Sequence, residues 1–156
     1  MLGVKMVSAW SDAELSSAAK NALNKIIGAL PSELKTLGEY LPFEVPVFPD
    51  YHTENNPSQQ LRKAIRERII IQVAYQDAQQ QLTERTLYPL GLFFWGNVWT
   101  LAAWCTLRNS YRAFRLDRIT ALTMTDEVFT QSEHCCLQDY IAQKKSADGK
   151  GRDCGL

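Results

Sequence analysis

Histidine is scarce in this sequence. Only His52 and His134 occur, and neither stands in a pattern of metal-ligand spacing, so no metal site is indicated. Four cysteines are present, Cys105, Cys135, Cys136 and Cys154. They form no C-x-x-C pair, and no charged n-region with an apolar h-region precedes them, which fits reduced thiols in a cytoplasmic protein. The longest apolar stretch, Leu90 to Cys105, is interrupted by Gly96, Asn97 and Thr100. It falls short of the ~18 to 20 residues of a membrane helix, so no membrane partner is expected. A Gly-x-Ser-x-Gly elbow, a glycine-rich phosphate loop and a paired-carboxylate motif are all missing. Without a nucleophile, general base or metal set, the reading is not an enzyme, with no catalytic residues and no cofactor.

Net charge is absent too: 17 Lys+Arg balance 17 Asp+Glu, so the whole chain shows no field that would gather nucleic acid or anionic lipid. The distribution is uneven. Residues 1–60 carry four basic and seven acidic side chains, residues 61–118 nine and four, and residues 119–156 four and six, giving −3, +5 and −2. Eight of the nine basic residues in the middle segment are arginines. With 46% hydrophobic and 22% charged residues in 156, the chain has the composition of one folded domain with an appendage.

From Ser11 to Leu30, the apolar positions Leu15, Ala19, Leu23, Ile26 and Ile27 recur at helical spacing, and Ser11 with Glu14 resembles a capping box. Pro31 ends that helix. "SELKTLGEYL" allows another turn or two, and the prolines of "LPFEVPVFPD" make residues 42–56 a connector. Pro57 to Arg68 reads as a second amphipathic helix, with Leu61, Ala64 and Ile65 apolar and Ser58 as its cap. Beyond it the period changes to that of strands. "IIIQVAYQ", "LTERTLYPL" up to Pro89, "LGLFFW", "VWTLAAWC", "YRAFRL" and "ITALTMTD" give about five short strands, with Gly96 and Asn97 marking a hairpin. The expected class is α+β: N-terminal helices, a small five-stranded antiparallel barrel, and a short closing helix over residues 133–143. The expected organisation is a helical linker and connector at 1–56, the barrel and closing helix at 57–143, and a disordered tail at 144–156.

Arg85, Arg112, Arg115 and Arg118 lie in or beside predicted strands. A guanidinium grips phosphate or carboxylate with two parallel charge-assisted hydrogen bonds and stays protonated. Gathered without acidic partners, such groups repel, and an anionic ligand relieves the repulsion. The alternative is a solvated strand face, with Asp117 pairing one of its neighbours. A strict alternation groups Arg112 and Arg118 with Phe114 and Leu116, and Arg115 with Asp117, unless a tight turn at Leu116 to Arg118 breaks the phase. Aromatic rings interleave with these charges, as in single-strand nucleic-acid sites, although most of them, Phe93, Trp104 and Phe114 above all, are better suited to the barrel core. Tyr75 and Trp99 suit a pocket mouth.

Together, "RTLYPLGLFFWGNVWTLAAWC" and "YRAFRLDRI" resemble the WYL domain of bacterial transcriptional regulators of the YafY and DeoR-like type. The residues that carry the likeness are Tyr75, Arg85 with Pro89, Trp99 and Leu101, then Arg112, Phe114, Arg118 and Ile119. Two departures stand out. The namesake tyrosine is Thr100, and Met1 falls where a linker helix begins in such regulators, which implies that the winged helix-turn-helix is lacking. The resemblance implies an Sm-like or SH3-like barrel that senses a ligand for an attached DNA-binding domain. It also implies a nucleotide or single-stranded nucleic-acid effector at the basic strand residues, read here as Tyr75, Arg85, Trp99, Arg112, Arg115 and Arg118. The competing expectation is a structural oligomerisation module, a homodimer pairing through the helix at 11–30, with no ligand of its own.

Overall fold

The computed structural model describes residues 2–31, 45, 57–96, 98–132 and 135–150. The connector apart from Val45, the segment "SELKTLGEYL", His52, His134 and Cys154 lie outside the described residues. The chain divides into two compact units, Met1–Gln59 and Gln60–Leu156.

In the first unit, α1 (Leu2–Trp10) and α2 (Ala13–Ala29) are joined by Ser11 and Asp12. The cap of α2 is Asp12, not Ser11: its Oδ1 accepts from the Leu15 amide at 3.1 Å. The Ser11 hydroxyl instead donates back to the Val7 carbonyl. An aspartate at this position satisfies one of the orphan amides of the first turn and places a negative charge at the positive end of the helix. Ser16 donates to the Ser8 carbonyl at 3.2 Å. Small residues therefore hold the two helices together.

The second unit is a sheet with a helix on each face. The spacing of Leu61, Ala64 and Ile65 puts one apolar stripe on α3 (Ser58–Glu67), and Leu61 and Ala64 are fully buried. Burying a leucine of this kind stabilises by ~1.5 to 3 kcal/mol. Arg68 ends the helix in the left-handed region at φ 58°, and its carbonyl accepts from the Phe129 amide at 2.9 Å. Five antiparallel strands follow: β1 (Ile69–Gln76), β2 (Leu82–Phe94), β3 (Trp99–Cys105), β4 (Ser110–Arg115) and β5 (Ile119–Val128). Their order across the sheet is β4-β3-β2-β1-β5.

The α+β class is as the sequence implies, but the expected barrel is an open sheet: no ladder joins β4 to β5 among the described residues. Curvature nevertheless brings the two edges close at one end. Four strand spacings of ~4.8 Å would part the edges of a flat sheet by roughly 19 Å. The steps from Arg115 to Ile119 reach at most about 14 Å fully extended. They are shortened further by a 3-10 turn at Leu116–Arg118. The sheet must curl, and β4 comes to lie over β1 there. The Tyr75 ring on β1 meets Phe114 on β4 edge-on at 5.1 Å, and the Tyr75 hydroxyl accepts from the Arg115 amide at 3.4 Å.

Two runs that the sequence separates are one strand. "LTERTLYPL" and "LGLFFW" form the continuous β2, with the register against β3 slipping between Pro89 and Gly91. The bulge lets a strand interior tolerate a residue without an N–H. The inner face of the curl packs Ile71, Val73, Leu87, Leu101, Ala103, Cys105 and Phe114 against Leu61 and Ala64 of α3.

On the outer face, Tyr88, Leu90, Tyr111 and Phe129 pack with Leu137 of α4 (Leu137–Lys150). The tail expected from residue 144 is corrected accordingly: the helix that was to close at 143 continues to Lys150. Nothing between Gln143 and Lys150 breaks a helix except Gly149, and Ser146 returns a hydrogen bond to the Ala142 carbonyl at 3.0 Å.

Candidate functional site

Strand register decides where the arginines go. Val73 pairs with Arg85 across β1 and β2, and Ala103 pairs with Arg112 across β3 and β4. Side chains of directly paired residues share a face. Val73 and Ala103 both belong to the inner core cluster, so Arg85 and Arg112 stand on the inner face, at its margins. Arg85 is half-buried and Arg112 exposed. Among the described residues no carboxylate contacts either one.

Arg115 is placed differently. It pairs with Thr100, one step along from the Leu101–Phe114 pair of the core, and therefore points to the outer face. There its guanidinium holds Asp117 at two points, Nε to Oδ1 at 3.0 Å and Nη2 to Oδ2 at 2.7 Å. The fork and a more distant attraction from Arg118 keep the Asp117 carboxyl below its ordinary range, against the opposing effect of partial burial. The 3-10 turn is the phase break that strict alternation would not allow. Arg118, half-buried in that turn, lies within the field of the same carboxylate without a hydrogen bond to it among the described residues. The four guanidinium groups thus do not meet in one cup. Arg85 and Arg112 share the inner face, while Arg115 and Arg118 flank Asp117 at the turn.

Tyr75 and Trp99 both pack against the inner core cluster. Trp99 also contacts Phe94, ring centres 5.0 Å apart. Tyr75 is tied to Phe114 and to the Arg115 amide, so the two rings wall the inner face and brace the closing end of the curl.

A polar groove of about 450 Å³ crosses the outer face, lined chiefly by Gln72, Ala74, Glu84, Thr86 and Thr123 with Arg85 at its border. It offers hydroxyl and amide groups but only one cationic group. Trp95, one of the aromatic rings that interleave with the charges in the sequence but not one of the expected site residues, is 66% exposed. Its indole N–H donates to the Thr100 hydroxyl at 2.9 Å, and its ring lies nearly parallel to Phe93, with centroids 6.2 Å apart. The signal for it was present: an aromatic residue directly before a Gly-Asn turn sits at a hairpin tip, where burial is hardest to achieve.

Among the described residues no group of three His, Cys, Asp or Glu side chains is placed to hold a metal, and no helix is long and apolar enough to cross a membrane. Tyr111 donates to the Asp139 carboxylate at 2.8 Å and accepts from the Cys136 amide at 3.1 Å, tying β4 to α4. Burial, with help from Asp139, pushes its phenol up to about 12. Burial also raises the Cys135 thiol. A raised thiol carries less thiolate at neutral pH, so Cys135 is a weak nucleophile.

The WYL domain family model matches residues 58–124. Two proteins described as the DNA-binding transcriptional repressor CapW, one from Escherichia coli strain KTE188 and one from Escherichia coli, are 43% identical over 61 residues, which is 38% of this chain and 20% of theirs. The chain therefore spans about a fifth of the length of these curated relatives. Proteasome accessory factor B/C (PafBC) of Arthrobacter aurescens superposes with a TM-score of 0.47 at 26% identity, covering 59% of this chain and 15% of that one.

Proposed function

We propose that the chain, whose residues 58–124 match the WYL domain family model, is the ligand-sensing module of a bacterial transcriptional regulator. It binds a nucleotide or single-stranded nucleic-acid effector, acts in the cytoplasm, and carries out no catalysis. The observation that carries this reading is the pair Arg85 and Arg112, held on one face of the sheet with no carboxylate partner among the described residues. Through Ala103, Arg112 stands level with Pro89, four residues along β2 from Arg85 and two strands across, roughly 13 Å by 10 Å in a flat sheet, so the two offer separate cationic contacts to an extended polyanion. Guanidinium groups suit phosphate oxygens because their planar forks match them. Arg118 supplies a third cation at the closing end of the curl. The similarity to repressors named as DNA-binding supports a regulatory setting, in which this module passes its state to a DNA-binding partner domain.

Phosphate contacts make affinity fall with salt, with a log-log slope of about −0.7 per contact for single strands. Fluorescence anisotropy of short single-stranded DNA against the intact chain, Arg85→Ala and Arg112→Ala tests the proposal. Each variant is expected to weaken binding and to flatten the slope by about one contact's worth. Salt-insensitive binding, or variants that bind as the intact chain does, would refute it.

A second reading, oligomerisation through the first unit, draws on a specific observation. Ile26 is 57% exposed on α2 and Leu15 36%, so the apolar stripe of that helix is largely uncovered, as expected of a helix that pairs between copies. Light scattering on the intact chain and on Ile26→Glu tests it. A dimer that persists unchanged in the variant excludes α2 as the pairing surface.

A further inference from the structure

We infer that the open stretch of β2 at Leu82–Arg85 is a strand-addition site, and that its occupant is an extended peptide segment of another protein, with a lysine or arginine opposite Glu84. The inference is independent of the effector reading, which concerns the inner face and the 3-10 turn.

Two ladders of unequal length create the site. β2 pairs with β1 from Leu82 to Leu87, whereas its pairing with β3 begins only at Leu87, opposite Cys105. Between Leu82 and Arg85, β2 therefore has a neighbour on one side alone. Alternation fixes which backbone groups are left over. The Thr83 hydroxyl donates to the Tyr75 carbonyl at 3.2 Å on the β1 side. On the other side, the Thr86 carbonyl accepts from the Thr106 amide at 3.2 Å and from its hydroxyl at 3.1 Å. Leu82 and Glu84 share the phase of Thr86, so their N–H and C=O groups point away from β1. No strand meets them among the described residues. A row of such groups is a template for a further strand held by main-chain hydrogen bonds.

Side chains at this edge select the occupant. Glu84 is exposed on the outer face, with Ala74 opposite it on β1, and among the described residues no cation contacts its carboxylate. A lysine or arginine directly across on the open side would meet that charge, because facing residues of opposite sign attract. Leu82, two residues away on the same face, is 64% exposed, and Leu107, in the turn after β3, is 63% exposed. In an antiparallel partner, an apolar residue two places after the cation would cover Leu82. Thr106 and Leu107 border the groove of about 450 Å³ that also takes in Glu84, Arg85 and Thr86. The turn therefore ends the open edge at Thr86, leaving roughly 13 Å, room for about four residues of strand.

The same charges argue against other occupants. Two copies joined edge to edge here would set Glu84 against Glu84 or, slipped by one pair, against Leu82, and like charges directly opposite destabilise a ladder. A polyanion is repelled by Glu84 as well. A peptide that supplies a cation and an apolar side chain on one face meets neither objection.

The test titrates the intact chain with the peptide acetyl-Ser-Thr-Lys-Thr-Val-Ser-amide and with a second peptide in which glutamate replaces the lysine. Both titrations are repeated with Glu84→Lys and Glu84→Pro, following amide shifts and hydrogen exchange by NMR. In the intact chain the lysine peptide is expected to shift the Leu82, Glu84 and Leu107 amides and to slow exchange at Leu82 and Glu84. The glutamate peptide should bind about tenfold more weakly, the swing of one facing charge pair from attraction to repulsion. Glu84→Lys should invert that preference. Glu84→Pro removes an edge donor that faces away from β1, a place where a strand tolerates proline, and should abolish binding of both peptides. If that variant fails to fold, the inversion by Glu84→Lys still decides. No binding of the lysine peptide, equal affinity for the two peptides, or shifts confined to residues elsewhere overturns the proposal. Slow exchange at Leu82 and Glu84 before any peptide is added overturns it too, assigning the edge to a second copy if the protection grows with protein concentration and to another segment of this chain if it does not.

Discussion

Arg115 and Asp117, two residues apart across the start of a 3-10 turn, form a two-point ion pair with N–O distances of 3.0 and 2.7 Å. This pair removes one guanidinium from the set open to a ligand. Both side chains are substantially exposed, 41% and 50%, so its contribution to stability is small, in the range of ~0 to 1 kcal/mol for surface pairs. Its consequence for binding is larger. Replacing Asp117 with asparagine keeps the shape of the turn and removes the negative charge that lies beside Arg115 and Arg118. The expected result is tighter binding of single-stranded DNA, with a salt slope steeper by about 0.7. Anisotropy titrations at several salt concentrations check it, and an unchanged slope means that Arg115 does not face the effector.

The same pair has a pH signature. The folded state holds the Asp117 carboxyl below its ordinary value, so its stabilisation is complete above the unfolded carboxylate range and fades as pH falls through the depressed value. Acidification in that window is expected to neutralise the carboxylate beside Arg115 and Arg118 and so to raise anion affinity in the intact chain but not in Asp117→Asn. Binding measured from neutral pH down to the carboxylate range in both proteins separates this effect from titration elsewhere.

Much of this arrangement was legible in the residues. The stripe of Leu61, Ala64 and Ile65 marks α3 because three apolar positions at that spacing must face one way. The β-branched run "IIIQVAYQ" marks β1 for a comparable reason, and the effect of a turn at Leu116–Arg118 on side-chain phase follows from strand geometry alone. What could not be read was long-range. Whether Arg85 and Arg112 share a face depends on the registers β1–β2 and β3–β4, and sequence spacing within one strand does not fix a register between two. Pro89 looked like a strand end because its missing N–H normally breaks a ladder. The bulge that accommodates it depends on the partner strand. Closure of the barrel likewise depends on whether two edges pair, which no local pattern encodes. The cap at Asp12 in place of Ser11 shows the limit of a local rule: both residues suit the position, and the hydrogen bond of Ser11 back into α1 decides between them.

Gly91 has a reason that only packing reveals. A Cβ at this position would lie 2.9 Å from Leu137 Cδ1, because α4 lies directly on the bulge of β2. Gly91→Val is expected to destabilise the fold by about 1 to 3 kcal/mol through overpacking. Leu137→Ala alone opens a cavity and is also destabilising. Together they should be less damaging than the sum of the two, since each relieves the strain of the other. Chemical denaturation of the four proteins in a double-mutant cycle checks the coupling, and additive effects would mean that the helix is not seated there.

Tyr111 offers the sharpest test of how α4 is attached. Its hydroxyl bridges the Asp139 carboxylate and the Cys136 amide, and its ring contacts Trp104 and Tyr140 at 5.0 and 5.8 Å. Tyr111→Phe keeps the ring contacts and deletes the bridge, while the Asp139 carboxylate still accepts from the Gln143 amide at 3.1 Å. The expected loss is about 0.5 to 1.5 kcal/mol, appearing as faster hydrogen exchange in α4 before the strands. With the phenol raised from 10.0 to about 12 in the folded protein, the stabilisation is fully present below the unfolded value of 10.0. It is lost progressively as pH rises through about 12, because ionisation places a phenolate against Asp139. The intact chain should therefore lose its helix attachment in that alkaline window, while Tyr111→Phe, already weakened, shows no transition of its own there. Phenolate absorbance and exchange rates followed over the same pH range decide whether the two events coincide.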